Sequence, residues 1–378
     1  MNALRRTAAA AALMLALPLA AATPAAAAPS ATAGVHLGLP RPTGQFAVGR
    51  EILHLTDRNR PDPWVPSAGP RQLMVSLYYP AERGTGDNAP YMTPAAARLL
   101  LDDKLPDLRV PTSTLAGART FAKSGAQPHP GRFPLVVLSP GFTMPRAELT
   151  NLAEDLTSRG YVVALIDHTY ENTGTTFPDG HTTTCVPCDT LTPDSDWAGI
   201  VANRAKDTSF VLDQLTTRPR YAHLIDHTRI GMAGHSSGGA ATVPALLSDP
   251  RIRGGVDLDG SMDYPVPATG LQGKPFLLIG NSADGQEDPS WTTGWPRLDG
   301  WKRWLTLNGS DHNTFTDYSL FFEQLGLPHE PGATIDPTRG LQLTRQYVAA
   351  FFDLHLKDLP QPLLDGPAAA NPEIAFHL

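Results

Sequence analysis

The 378 residues hold only two cysteines, Cys185 and Cys188, so a framework of several disulfides is excluded as the basis of the fold. Past residue 28 no stretch stays apolar long enough to cross a bilayer. Basic residues are outnumbered, 30 Lys and Arg against 37 Asp and Glu, and they form no run. That pattern argues against a nucleic-acid partner, whose phosphates demand a concentrated positive face. There is no internal repeat, and no low-complexity tract outside the N-terminal region. What the chain has in quantity is proline and glycine, 37 and 33 residues, which implies many turns and long surface loops.

Residues 1–28 read as a secretory signal. Arg5 and Arg6 are its charged start, residues 8–22 are an apolar run broken by Pro18, and small residues with A-x-A spacing precede Pro29. The run is too short and too Ala-rich for a membrane span. The arginine pair leaves general and twin-arginine export both open. Removal takes away two arginines and no acid, so the formal charge goes from −7 to −9. About 350 residues remain, within range for one large α/β domain. Residues 29–45 are expected to be a flexible lead-in and residues 46–378 a single domain, exported and soluble.

Along that domain, residues 46–56 and 71–80 are β-rich, the second an edge hairpin partner. Residues 93–101 are rich in Ala and Leu and read as a helix; residues 106–131 read as irregular. Pro134-Leu135-Val136-Val137-Leu138-Ser139 is a continuous apolar strand, the kind a parallel sheet buries on both faces. An amphipathic helix over 146–159, closed by Gly160, and a second buried strand over 161–167 follow. A long loop, 168–197, leads to a helix over 198–215. Further strands are read at 228–233, 254–258, 275–280 and 303–307, and a last helix at 338–356. Strands alternating with helices give a mostly parallel sheet flanked by helices.

The most informative stretch is Gly234-His235-Ser236-Ser237-Gly238-Gly239. It has the G-x-S-x-G pattern, preceded by an apolar strand and followed by the helix candidate at 240–247. A serine on so sharp a strand-to-helix turn is a nucleophile elbow, and on a parallel sheet it implies the α/β-hydrolase fold. Glycines at this spacing let strand and helix approach closely. A serine hydroxyl needs a base, and the fold orders the partners Ser, then Asp or Glu, then His. His312, in Gly309-Ser310-Asp311-His312-Asn313, follows the 303–307 strand and is the candidate base; His329, His355 and His377 read as surface or structural. Two acids are placed by topology, Asp259 after the 254–258 strand and Asp284 after the 275–280 strand, and topology does not choose between them. An oxyanion needs backbone N–H donors. Ser237, next after the nucleophile, and Phe142, in the Pro140-Gly141-Phe142 turn, are the candidates.

These motifs resemble the plasma-type (group VII) platelet-activating factor acetylhydrolases and their bacterial relatives. The resemblance covers residues 46–356. It rests on Leu77-Tyr78-Tyr79-Pro80, Phe133-Pro134-Leu135-Val136-Val137-Leu138-Ser139-Pro140-Gly141 and Gly234-His235-Ser236-Ser237-Gly238-Gly239, together with Leu258-Asp259-Gly260 and Gly309-Ser310-Asp311-His312-Asn313-Thr314-Phe315-Thr316-Asp317. It implies a secreted serine ester hydrolase needing no cofactor or metal, which cleaves a short or oxidised sn-2 acyl chain from a phospholipid, with transient contact of a lipid surface compatible with that substrate. It also places the acid at Asp259 and an oxyanion donor at Phe142. The chain departs from the family at Pro140-Gly141, where His-Gly is usual, and does not obviously keep the lipoprotein-docking helices in 93–127. Ser139-Pro140-Gly141-Phe142 also resembles secreted bacterial lipases and cutinase-like polyester hydrolases, whose acid would fall on Asp284. A noncatalytic binding protein of the same fold is the alternative from another class, and an ordered Ser236, Asp259 and His312 argues against it.

Cys185 and Cys188 flank Val186-Pro187 in the long loop. In an exported chain a local disulfide is the first reading and free thiols the second; zinc with His181 lacks a fourth ligand. Trp291, Trp295, Trp301 and Trp304 read as packing residues ahead of acyl-pocket walls, and Leu99-Leu100-Leu101 as core ahead of a membrane contact.

Overall fold

The computed structural model describes residues 34–282 and 288–377. Residues 1–28, read above as a secretory signal, and Asp284 lie outside them.

The chain opens on a long antiparallel hairpin of β1 (Ala47–Pro61) and β2 (Pro70–Ala81). Short β3 (Asp87–Asn88), helices α1 (Pro94–Lys104) and α2 (Thr112–Ala116), and β4 (Lys123–Ser124) follow. The alternating part starts with β5 (Phe133–Ser139), α3 (Thr150–Ser158) and β6 (Val162–Asp167). A small hairpin, β7 (Thr175–Thr176) with β8 (Thr182–Thr183), lies in the long loop before α4 (Trp197–Thr217) and α5 (Pro219–Ala222). Next come β9 (Ile225–His235), α6 (Ser237–Ala240), α7 (Thr242–Ser248), β10 (Ile252–Leu258) and β11 (Phe276–Gly280). The chain closes with α8 (Pro289–Gly294), β12 (Lys302–Leu307), α9 (Asp317–Gln324), α10 (Pro337–Lys357) and β13 (Ile374–His377).

Eleven strands form one sheet in the order β13-β12-β11-β10-β9-β5-β6-β2-β1-β4-β3. The six central strands from β12 to β6 are parallel, and β2 and β13 join them antiparallel. This is the α/β-hydrolase fold. The period of two in a strand explains the continuous apolar runs. Leu135 and Val137 of β5 pack with α4 and α7 on one face, whereas Val136 and Leu138 pack with α3 and α10 on the other. Both faces are dry, which accounts for the unbroken apolar run from Leu135 to Leu138. A third cluster, with Leu37, Leu100, Leu101, Leu115 and Phe321, joins α1, α2 and α9 beside the C-terminal ends of the strands. Helix starts follow capping chemistry: Thr93, Asp196 and Asp336 each accept a backbone N–H in the first turn of α1, α4 and α10.

Four sequence expectations change. β2 is not at an edge; it lies between β6 and β1. Residues 106–131 contain α2 and β4. The helix read as amphipathic is buried at every position of α3, because the chain at residues 40–44 covers its outer face. Thr43 N–H and Oγ1 both donate to Asp155 Oδ1 at 2.8 Å, and Gly44 N–H donates to Ser158 Oγ at 2.8 Å. The described part of the lead-in is thus tied down, with Leu37 and Leu39 buried and Gly38 bonded through both backbone groups to the Gln324 amide. Burial of two leucines repays ordering that a polar tail would not.

Candidate active site

β9 ends at His235 and α6 begins at Ser237, so Ser236 is the turn between them. Its φ of 54° and ψ of −127° lie where side chains are strained. The turn is held by Ser236 N–H to the Leu258 carbonyl and by Ala240 N–H to the Ser236 carbonyl, each 2.9 Å. A Cβ on Gly238 would collide with the Ser139 carbonyl oxygen, and one on Gly234 with the Gly238 backbone, so neither position admits another residue at this spacing.

Asp259 follows β10 and His312 opens a 3-10 turn after β12. The structure brings them together: His312 Nδ1–H donates to Asp259 Oδ2 at 2.5 Å. Asn281, at the end of β11, donates its N–H to Asp259 Oδ1 and its Nδ2 to Oδ2, each at 2.7 Å. Burial pushes the Asp259 carboxyl upward, but the His312 bond and charge and the two Asn281 bonds outweigh it and hold it below the usual range. Burial disfavours charge on His312, yet the Asp259 bond and charge, with Glu148 and Glu330 behind them, raise its affinity for a proton. With Nδ1 committed to Asp259, Nε2 is the basic nitrogen.

Phe142 lies in the turn after β5, and Ser237 is the first residue of α6. Among the described residues neither backbone N–H is taken by a hydrogen bond. The Phe142 turn is fastened from several sides. Gly141 N–H donates to Glu148 Oε1 at 2.5 Å, Arg204 Nη1 donates to the Pro140 carbonyl at 2.5 Å, and Thr143 N–H donates to the Glu171 carbonyl at 2.9 Å. The Phe142 ring packs edge-on against Trp197 and under the Arg204 guanidinium.

Ser236, His312, Gly141 and Phe142 line one cavity of about 330 Å³. Its walls come mainly from the third apolar cluster: Leu100 and Leu101 of α1, Leu115 of α2, and Tyr318 and Phe321 of α9. Lys104 stands at its edge, with Nζ 3.0 Å from Thr143 Oγ1. Trp291, Trp295, Trp301 and Trp304 do not line this cavity. Trp291 and Trp295 pack against Trp304, and Trp301 against Phe351 and His355. Cys185 and Cys188 are joined by a disulfide, so they offer no thiolate to zinc.

A second Ser-His-Asp line runs beneath the site. Ser139 Oγ is 2.9 Å from His168 Nε2, and His168 Nδ1 is 2.8 Å from Asp207 Oδ2. Ser139 is wholly inaccessible, and no substrate reaches it. Burial and Arg204 lower the proton affinity of His168 despite Asp207. Asp207 is shared with Arg71, which also holds Asp62. This line belongs to a buried ionic network that supports the oxyanion turn. A fluorophosphonate probe should therefore label Ser139→Ala at wild-type stoichiometry; loss of label by intact mass would make Ser139 the reactive hydroxyl.

The sequence did not point to Glu148, His235 or Arg204, since a charged residue in a buried turn, a residue adjoining a nucleophile and an arginine in a helix have no periodicity of their own. Nor did it show α9, whose apolar residues form the cavity wall.

The family described as platelet-activating factor acetylhydrolase, isoform II, matches residues 31–182 and 198–362. A probable 1-alkyl-2-acetylglycerophosphocholine esterase of Arthroderma benhamiae is 31% identical over 374 residues, covering 89% of this chain and 93% of that protein. A bis(hydroxyethyl) terephthalate hydrolase of Streptomyces coelicolor is 31% identical over 155 residues, 41% of each chain. Among solved structures, a ferulic acid esterase from Streptomyces cinnamoneus superposes with a TM-score of 0.82 at 43% identity, covering 90% of this chain and 99% of that one.

Proposed function

We propose, from the premise that this chain belongs to the platelet-activating factor acetylhydrolase isoform II family, that its carboxylic ester hydrolase activity runs through Ser236, His312 and Asp259. The observation that carries the assignment is the Asp259–His312 bond placed on the same cavity as a serine held at positive φ. His312 Nε2 takes the Ser236 proton as Oγ attacks the ester carbonyl. The N–H groups of Phe142 and Ser237 receive the developing oxyanion, and Asp259 stabilises the imidazolium. Collapse of the tetrahedral species passes the proton to the leaving alcohol and leaves an acyl-enzyme. Water, deprotonated by the same imidazole, releases the acid.

The first substrate class is a glycerophospholipid with a short sn-2 acyl chain. Lys104 supports it, as the one lysine or arginine among the described residues lining the cavity; its ammonium is paired with Asp103 Oδ2 at 3.0 Å, a partly exposed pair that a phosphate would share. Lys104→Ala should raise KM for such a phospholipid about three- to tenfold and leave KM for a neutral p-nitrophenyl ester unchanged, because a partly exposed ion pair contributes modestly. Initial-rate kinetics on both substrates checks this. An aromatic acyl ester is the second reading. The cavity is much roomier than an acetyl group requires and is walled in part by Tyr318, Phe321 and Phe322, and the solved relative at 43% identity is named a ferulic acid esterase. Export with cleavage near residue 28 and brief contact with a lipid surface belong to the same proposal. Among the described residues no helix is long and apolar enough to cross a membrane.

The deciding experiment measures kcat/KM for an sn-2 acetyl ether phospholipid, methyl ferulate and bis(hydroxyethyl) terephthalate side by side. A value above about 10⁴ M⁻¹s⁻¹ for the phospholipid alone is the expected result. Faster turnover of methyl ferulate would move the assignment to aromatic acyl esters, and faster turnover of the terephthalate to polyester-type substrates. A chain that neither turns over any of them nor takes up a fluorophosphonate would be a noncatalytic binding protein.

A further inference from the structure

One buried carboxyl group touches both halves of the site. Glu148 is fully buried in the 3-10 turn Arg146–Leu149 ahead of α3. Its Oε1 accepts the Gly141 N–H and lies 3.3 Å from Nδ1 of His235. His235, itself buried, has Nε2 2.9 Å from the His312 carbonyl oxygen. A carbonyl only accepts, so His235 Nε2 carries a hydrogen. The other ring nitrogen, Nδ1, faces Glu148 Oε1, so the imidazole bridges the carboxyl group and the His312 backbone.

The bonds run unbroken from Gly141 through Glu148 and His235 to His312. Gly141 immediately precedes the Phe142 donor. His235 immediately precedes Ser236, and its ring centroid is 4.5 Å from that of His312. Oxyanion turn, nucleophile and base, which come from three separate stretches of chain, are thereby held by two side chains. A buried carboxyl group with one oxygen lacking a partner among the described residues, as Glu148 Oε2 is, costs desolvation energy that an apolar side chain would avoid.

We infer that Glu148 and His235 form a clamp that keeps the oxyanion donor and the general base in register across Ser236, acting as positioning residues. The inference rests on the roles assigned above to Ser236, His312 and Phe142. Misplacing a reacting group by about 1 Å costs on the order of 10²-fold, and an oxyanion donor contributes 10²- to 10³-fold. Glu148→Leu and His235→Phe should each lower kcat about 10- to 100-fold with KM within about twofold, because α1, α2 and α9 still shape the acyl cavity. Glu148→Gln should recover part of the rate. Both contacts meet at Oε1, so an amide oxygen in that place keeps the Gly141 bond, and with it the oxyanion turn, but gives up the contact with His235 Nδ1. The double variant Glu148→Leu/His235→Phe should be no slower than the slower single one.

Steady-state kinetics of the four variants, with fluorophosphonate labelling mapped to the modified serine, reads all of this. An unchanged kcat in both single variants, additive losses in the double, or a Glu148→Gln rate as low as that of Glu148→Leu would overturn the clamp. If Glu148→Leu does not fold, as judged by near-UV circular dichroism, His235→Phe and Glu148→Gln decide. Absence of label on Ser236 in the unmodified protein would overturn the nucleophile assignment and the clamp together. Label on Ser236 with undiminished kcat in the variants would overturn the clamp alone.

Discussion

Ser236→Ala is expected to lower kcat about a million-fold while leaving the fold intact. The figure follows from serine hydrolases in which loss of the nucleophile alone is about as damaging as loss of the whole triad. What remains, about 10³- to 10⁴-fold over water, is what the oxyanion donors and substrate binding supply without covalent chemistry. Stability should change little. Alanine at φ 54° is strained as serine is, and both backbone bonds of the turn stay in place. The measurement pairs single-turnover kinetics on the preferred ester with a thermal melt. A residual kcat within tenfold of the unmodified protein at an unchanged melting temperature would remove Ser236 from the chemistry.

Asp259→Asn should cost about 10⁴-fold in kcat, the scale on which a triad fails when its histidine loses the carboxylate that fixes its tautomer. The pH profile gives a second readout. His312 must be neutral to accept the serine proton, and Asp259 raises its proton affinity above the ordinary value of about 6.5. In the unmodified protein the acid limb of kcat/KM therefore lies above that pH, with activity rising as His312 deprotonates. Removing the charge of Asp259 removes the main cause of the shift, so the limb should move to lower pH even as the plateau falls. Asp284→Asn is the companion measurement, expected to stay within about threefold of the unmodified rate. A large loss there, with Asp259→Asn nearly intact, would transfer the acid to the later strand.

The parts of this site that could be read from sequence are those in which local backbone geometry dictates residue type. Ser236 was legible because a strand-to-helix reversal with the Gly238 backbone against the Ser139 carbonyl tolerates so few residues. The central strands were legible because β6, the 134–139 run of β5 and the 230–235 half of β9 are dry on both faces, which favours apolar runs. His312 followed from chain order. Asp259 did not, since a carboxylate after either of two neighbouring strands meets the same topological requirement. The choice came by resemblance, and the Asn281 bonds that steady Asp259 lie on the neighbouring strand end.

Long-range pairing was the least legible feature. Nothing near Glu148 in sequence announces Gly141 and His235 as its partners, because those contacts form only once β5 and β9 lie side by side. Segment 34–45 misled for a related reason. Its composition is that of a tail, and only the closed structure shows Leu37 and Leu39 filling a gap near α1 and α9. The Ser139-His168-Asp207 line makes the complementary point, since three residues of the right types in hydrogen-bonded order are inert where no solvent or substrate arrives.

The rims of the sheet carry a consequence for the protein at high concentration. On one side the outermost strand is β3, two residues long, and on the other β13, four residues long. An edge strand exposes unpaired N–H and C=O groups that can template a strand from another molecule, and short edges are a standard protection. The long β1 is different: β4 meets it only at Gly49 and Arg50, so among the described residues most of its outer edge has no partner strand. Strand-on-strand association in concentrated solution should accordingly avoid β3 and β13, and where copies do stick through backbone the outer edge of β1 is the expected place.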